Sequence, residues 1–423
     1  MSGTDELERV YREEATRIRA SLAARLGDVG LAEELVQDAF IEALEHWPAE
    51  GMPPNPGGWL ATTARRKAID RLRRDRAGQE KLALLAATLP RGQDGVAGQG
   101  SGASVPGPGL VCGFAEAGDQ DEELLGLVFA CCHPSMSRDS QIALTLRAVC
   151  GLTTAEIGAA FLSSEATMAQ RLSRARKALQ QAGPVAGVPD PDELGGRLSE
   201  VLAVVYLVFN EGYLASAGRT PARRDLARQA VALSRLLHRL MPREPEVLGL
   251  LALLLLHESR AATRFDGWGR LVRLDEQDRG RWDRQLISEA AALLGRALAM
   301  RRPGPYQIQA AIAALHAEAP CSQQTDWPQI RLLYDRLDRL APSPVVRLNR
   351  AVATRFAVGP EAALAEVEPL AAELDGYRLF HSVRAELLSA VGRGQEARSA
   401  NERALALAVN PAERELLSRR LSG

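Results

Sequence analysis

Three observations predict an all-α fold. Ala, Leu, Arg and Glu dominate the chain while aromatic residues make up 4% of it, a composition that favours helices over strands. Apolar residues recur at spacings of three and four over long stretches, the signature of one buried helical stripe. Pro and Gly fall mostly at the breaks between those stretches.

The stripe is clearest at Ala32, Leu35, Val36, Ala39, Phe40, Ala43, Leu44 and Trp47. The other side of that helix is acidic and amide-rich: Glu33, Glu34, Gln37, Asp38, Glu42 and Glu45. A Pro/Gly loop, residues 48–58, follows. Asn55 can cap the next helix and Pro56 suits its first position. That helix turns Trp59, Leu60, Ala64, Ala68, Ile69 and Leu72 inward. Residues 79–120 are rich in Gly, Ser and Pro and read as a flexible linker. Helices resume from Asp121 to about Gln181, then GPVAGVPDPDE forms a second, shorter linker. The rest reads as helical. Arg350-Ala351 recurs as Arg384-Ala385, 34 positions on, and Glu361-Ala362 as Glu396-Ala397, 35 positions on; a period near 34 is that of tetratricopeptide (TPR) helix pairs. The expected domains are 5–77, a linker at 78–120, 121–183, and a TPR-like helical domain at 190–423.

The 423 residues carry a net charge of −1, so any nucleic-acid site must come from local patches. Five cysteines in no spaced framework read as reduced thiols in a cytosol. No basic segment with an apolar run opens the chain, so no secretory signal is visible. The most apolar run, 247–256, is far shorter than the roughly 20 residues that cross a bilayer; it reads as a buried core helix.

Two segments carry chemistry. In GLTTAEIGAAFLSSEATMAQRLSRARKAL, Thr153 or Thr154 can cap a short helix, with Glu156 placed for a capping box. Ala155, Ile157, Ala160 and Phe161 supply its packed side. Leu162-Ser163 makes a tight turn and Ser164 caps a second helix. Met168, Leu172, Ala175 and Leu179 form the buried stripe of that helix, and Glu165, Thr167, Gln170, Arg171 and Arg174 its other face. This helix-turn-helix over residues 153–177 has the geometry of a recognition helix in a major groove. Gln and Arg can read base edges, and Arg174, Arg176 and Lys177 can meet phosphates. An ordinary helical hairpin with a solvated face is the plain alternative. In WLATTARRKAIDRLRRDR, seven basic residues (Arg65, Arg66, Lys67, Arg71, Arg73, Arg74, Arg76) stand against two acids, a segment charge of +5. One helix this basic suits phosphate tracking, though a charge run by itself is often only a solvated face.

AEELVQDAFIEALEHW, NPGGWLATTARRKAIDRLRR and the helix-turn-helix segment, in this order, resemble the two domains of extracytoplasmic function (ECF) sigma factors of bacterial RNA polymerase, over about residues 5–180. Over nearly its whole length the chain resembles the subgroup with a C-terminal TPR-like helical extension, on VFACCHPSM, VYLVFNEGY, EPEVLGLLALLLLHESRAA, DEQDRGRWD, RPGPYQIQAAIAALHAEAP, TDWPQI and PSPVVRLNRAVA. The resemblance implies two small helical sigma domains, the second with the helix-turn-helix, in a cytoplasmic alternative sigma factor without catalytic activity or cofactor. It implies that Glu33, Glu34, Gln37 and Asp38 dock on the polymerase core. Asn55, Trp59, Arg65, Arg66, Lys67, Arg71, Arg73 and Arg74 would recognise and open the minus-ten element. Ser164, Glu165, Thr167, Gln170, Arg171, Arg174 and Lys177 would read the minus-thirty-five element of the promoter DNA. The Gly-rich insertion before Asp121 is longer than this family leads one to expect.

Cys131-Cys132-His133, with Cys112 and Cys150, lacks the paired ligand spacing of a zinc site, so structural thiols and no metal are expected. His257-Glu258 and His316 with Glu318 lack any motif that would organise catalysis. FNEGY and DEQDRGRWD leave two readings open: Asn210, Glu211, Tyr213, Asp278, Arg281 and Trp282 form a regulatory surface for a protein or ligand, or the two phrases hold a buried salt-bridge network. A protein-interaction scaffold and an enzyme housed in the C-terminal domain are the other function classes.

Overall fold

The structure is a computed structural model that describes residues 3–88, 120–161, 163–183, 187–213 and 224–422. Cys112, Leu162 and most of the stretch read as a linker lie outside them. Among the described residues there is no strand; one isolated antiparallel bridge joins Phe265 and Leu271. The chain divides into two compact units, Met1–Val201 and Leu202–Gly423.

The first unit begins with α1 (Gly3–Leu26), α2 (Val29–Glu50) and α3 (Pro56–Thr88). Asp28 caps α2 by accepting the N–H groups of Gly30 and Leu31 at 2.8 and 3.0 Å, satisfying donors a helix start leaves open. Ala32, Leu35, Val36, Ala39, Phe40, Ala43 and Trp47 are buried as the period predicts. Leu44 is not: it is 51% exposed, beside Ile41 at 53%. Pro48, expected in the loop, is inside the last turn of α2. Asn55 Oδ1 accepts the Gly58 N–H at 2.9 Å and caps α3. This helix continues to Thr88, well into the stretch read as linker. RAGQEKLALLAAT explains that: it is built of strong helix formers and meets no Pro before Pro90.

The unit continues with α4 (Gln120–Cys131), α5 (Arg138–Ala148), α6 (Thr154–Ala160) and α7 (Glu165–Ala182). Arg19, buried on α1, donates to the Ala148 carbonyl, and Thr16 Oγ1 donates to Val149 O at 3.0 Å. Cys131 and Cys132 are buried in α4 and at its end. Burial pushes the Cys132 thiol up to about 12, partly opposed by its contact with the Thr145 hydroxyl.

Helix α8 (Pro191–Tyr213) crosses the division between the units. Its first half belongs to the first unit, where Arg197 donates to Phe129 O at 2.8 Å. The division between the two units thus falls within α8, after Val201.

The second unit holds α9 (Arg224–Leu240), α10 (Pro245–Glu258), α11 (Arg284–Ala299), α12 (Pro305–Glu318), α13 (Trp327–Leu340), α14 (Pro344–Ala357), α15 (Pro360–Val367), the short α16 (Ala371–Leu374), α17 (Arg378–Ala390), α18 (Gly394–Leu407) and α19 (Pro411–Ser422). Every residue from Val247 to Leu256 is buried, so α10 is the core helix its composition implies. It packs with α11 and α12 through Leu251, Leu255, Leu293, Leu294, Ala310 and Ala314. Gly249 permits that approach: a Cβ there would lie 2.7 Å from the Gln307 backbone nitrogen. The 34-residue repeat falls on α14–α15 and α17–α18, with Ala351 and Ala385 at equivalent buried positions. Ala397, Ala400 and Ala404 form the small-residue face of α18. Pro411 opens α19.

Candidate nucleic-acid interface

The helix-turn-helix is built by local chemistry. Thr153 Oγ1 accepts the Glu156 N–H at 3.1 Å, and Glu156 reaches back to the Thr153 N–H at 2.7 Å. This is a reciprocal capping box, and it settles the cap on Thr153. Ile157 is fully buried, whereas Ala155, expected on the packed side, is exposed. The turn between α6 and α7 needs Gly158, since a Cβ there would stand 3.0 Å from the Ser163 carbonyl oxygen, which is backbone and cannot swing away. Ser164 Oγ accepts the Thr167 N–H at 3.2 Å and starts α7.

Met168, Leu172, Ala175 and Leu179 are the buried stripe of α7. Glu165, Thr167, Gln170, Arg174 and Lys177 are exposed on the opposite side. Arg171 is half-buried: it pairs with Asp139 at 3.5 Å and lies over the Phe161 ring at 5.8 Å. It is thus partly committed to holding α7 on its neighbours.

On α3, Arg71, Arg73 and Arg74 are exposed, and Arg65 and Lys67 half-buried. Arg66 and Lys67 both bind Glu42 of α2, Lys67 at 2.9 Å. The Lys67 hydrogen bond leads the causes that hold Glu42 below the usual carboxylate range. Trp59 is half-buried, edge-on to Trp47 with centroids 5.4 Å apart.

The acidic face of α2 differs from expectation at one residue. Glu34 and Asp38 are exposed and Gln37 is half-buried, but Glu33 is only 2% exposed. Its carboxylate accepts from Arg147 on α5 and from Arg176 on α7, the latter at 2.5 Å. Asp28 likewise accepts from Gln180 at 2.7 Å. Glu33 therefore joins the two halves of the first unit in this structure instead of facing outward. The signal for this was present: Glu33 stands four residues after Val29 and three before Val36, on the buried side of the helix. Ile41 and Leu44, exposed beside the acids, were also missed, because periodicity marks apolar residues as inward.

In the second unit the residues expected to form one regulatory surface have separate duties. Tyr213 accepts from Arg260 Nε at 2.8 Å, with the Arg264 guanidinium 3.5 Å above its ring. Asp278 caps a short 3-10 turn, Arg279–Arg281. Arg281 is exposed, and Asn210 and Glu211 are half-buried. Trp282 is 3% exposed and donates to Thr263 at 3.0 Å, so it is a wall residue and not part of an open surface.

Comparison with known proteins decides what this arrangement is. The model of sigma-70 region 2 matches residues 10–78 and that of sigma-70 region 4 matches residues 127–179. A family of unknown function, DUF6596, matches residues 197–298. The chain is an ECF-type sigma factor with a C-terminal helical extension. An uncharacterized protein of Rhizobium meliloti (strain 1021) is 47% identical to it over 390 residues, 91% of this chain and 88% of the relative. The ECF RNA polymerase sigma factor SigK of Mycobacterium ulcerans (strain Agy99) is 25% identical over 175 residues, 40% of this chain and 81% of the relative. No solved structure matches significantly. The sigma factor thus carries its region 2 on α1–α3 and its region 4 on α4–α7. Among the described residues no helix is long and apolar enough to cross a membrane.

Proposed function

We propose that this sigma factor acts in the cytoplasm, directs core RNA polymerase to a defined promoter class, and is regulated in cis by its C-terminal unit. The observation that carries promoter reading is the face of α7: Gln170, Arg174 and Lys177 stand exposed on a doubly capped helix whose rear is buried. Such a helix enters a major groove with its N-terminal half against base edges. Arg71, Arg73 and Arg74 of α3 track phosphates at the minus-ten element, and Trp59 offers a ring to an unstacked base. Glu34 and Asp38, followed along the helix by the exposed Ile41 and Leu44, form the polymerase-facing side of α2; exposed apolar residues beside charge mark protein contacts.

The arrangement tied by Glu33 is, in this reading, a resting one. Elements named minus-ten and minus-thirty-five lie about 25 base pairs apart, roughly 85 Å of duplex at about 3.4 Å per pair. With α3 pinned to α2 through Glu42 and α7 joined to α2 by a hydrogen bond, α3 and α7 cannot reach both, so promoter engagement breaks the Glu33 contacts. The polymerase performs the phosphoryl transfer. His257 and His316 fit an acid–base enzyme poorly, since burial and neighbouring arginines hold His316 down to about 3, far from the value a general base needs at neutral pH.

Binding of the full chain with core polymerase to promoter fragments tests this. A footprint over two elements that weakens with salt and with Arg174→Ala is expected; a footprint indifferent to sequence would favour a scaffold. Regulation is tested by ending the chain at Val201, which keeps the Arg197 contact to α4. Promoter activity should change strongly, and unchanged activity rules out regulation in cis.

A further inference from the structure

The second unit encloses a cavity of about 430 Å³ among α8, α10, α12, α13 and α14. Its polar wall includes Tyr206, His257, Arg260, Gln309, His316 and Asn349, and its apolar wall Leu253, Ile312, Leu337 and Val346. Among the described residues that line it there is no carboxylate. A smaller cavity of about 270 Å³ shares His316 and adds Arg279, together with the carboxylates of Asp275 and Glu386.

In the larger cavity Arg260 stands without a matching acid among the described lining residues. Arg260 gives one hydrogen bond, to the Tyr213 hydroxyl, and no carboxylate pairs with it among the described residues. Arg279 is 4% exposed and donates to two backbone carbonyls, of His316 and Ala319, while its Nη2 has no partner. His316 Nδ1 is also buried without one. Arg260 is half-buried, and a cation drawn partly out of water is ordinarily paired, because removal from water is costly. A carboxylate-free cavity with an arginine that no described carboxylate pairs, an unpartnered imidazole nitrogen and a wall of leucine, isoleucine and valine has the makeup of a small-molecule site, in the usual size range of about 300–1,000 Å³.

We infer that this cavity binds a small organic anion, its acidic group held by Arg260 and His316 and its apolar body against Leu253, Ile312 and Val346. Arginine is suited to the acidic end because its planar fork can bind carboxylate, sulfonate or phosphate through two parallel hydrogen bonds. The ligand supplies the counter-charge that the protein leaves out. The inference goes beyond promoter recognition and needs neither polymerase nor DNA, so the two can fail separately.

The test is fluorescence titration of the purified full chain with the anionic probe 8-anilinonaphthalene-1-sulfonate and its uncharged analogue N-phenyl-1-naphthylamine. Saturable binding of the anion at one site is expected. Arg260→Gln should weaken it about tenfold or more, the effect of losing a charged hydrogen bond, while Arg260→Lys, which keeps the charge but loses the fork, retains part of it. The uncharged analogue should bind equally to all three chains. Far-UV circular dichroism checks each fold, and His316→Gln serves as the second variant should Arg260→Gln lose helicity. Absence of saturable binding, or anion binding indifferent to both substitutions, overturns the inference.

Discussion

Glu33 and Arg176 lie 143 positions apart in the chain, yet Arg176 Nη2 donates to the Glu33 carboxylate at 2.5 Å. Arg147 binds the same carboxylate, so one buried acid holds α5 and α7 against α2. Removing one partner of a buried pair costs about 3–5 kcal/mol. Arg176 is 31% exposed and water will satisfy part of it, so Glu33→Ala should cost the lower end of that range. With dyes placed on α2 and α7, energy transfer should fall in Glu33→Ala. Unchanged transfer would mean that the contacts of α1 with α4 and with residues 148–149 hold the unit closed without Glu33.

Loss of the caps should loosen the helix-turn-helix. Ser164→Ala removes the acceptor for the Thr167 N–H and should cost about 1 kcal/mol. Gly158→Ala should cost at least as much, since its Cβ presses on the Ser163 carbonyl. Thermal unfolding followed by circular dichroism measures both.

Arg174 and Arg171 should behave differently on substitution. Arg174 is exposed with one long contact, to Gln170 at 3.5 Å, so Arg174→Ala should leave stability within about 0.5 kcal/mol and weaken promoter binding about equally across sequences, with a shallower salt dependence, as loss of a phosphate contact does. Arg171→Ala also removes the contacts to Asp139 and Phe161 and should lower both stability and binding. Melting and promoter titration of the two variants separate the effects.

Much of this was legible in sequence where the signal is local. The stripe of α2, the caps at Asn55 and Ser164, the capping box of Thr153 and Glu156 and the buried run of α10 follow from spacing and cap chemistry. The Glu33 contacts were not legible, because Arg147 and Arg176 reach it only through tertiary packing. The same holds for the cavity. His257 and Arg260 share one turn of chain, but His316, Tyr334 and Asn349 join them from separate helices. Sequence alone leaves Trp282 between a surface and a buried network, because a polar phrase surrounds it; its indole ring is in the core and its N–H goes to Thr263.

His316 should give the second unit an acid sensitivity. Unfolded, an imidazole titrates near 6.5; folded, burial first and then Arg260 and Arg279 hold His316 to about 3. A depressed folded value means that the unfolded chain takes the proton first. Its contribution is therefore complete above about pH 6.5 and is lost as pH falls toward 3. Each unit in that window costs up to about 1.4 kcal/mol. The drop in urea midpoint between pH 7.5 and 5.5 should be smaller in His316→Gln than in the parent chain, and equal drops would contradict the assignment.

The most direct test of promoter-specific initiation is transcription in vitro from a random promoter library, with bacterial core polymerase and with or without this chain. The account predicts transcripts that require the chain and share a pair of upstream elements, with preference at the outer element relaxed in Gln170→Ala and overall yield lowered in Arg174→Ala. Silence from both the intact chain and the chain ending at Val201, or transcripts with no shared upstream sequence, would contradict it.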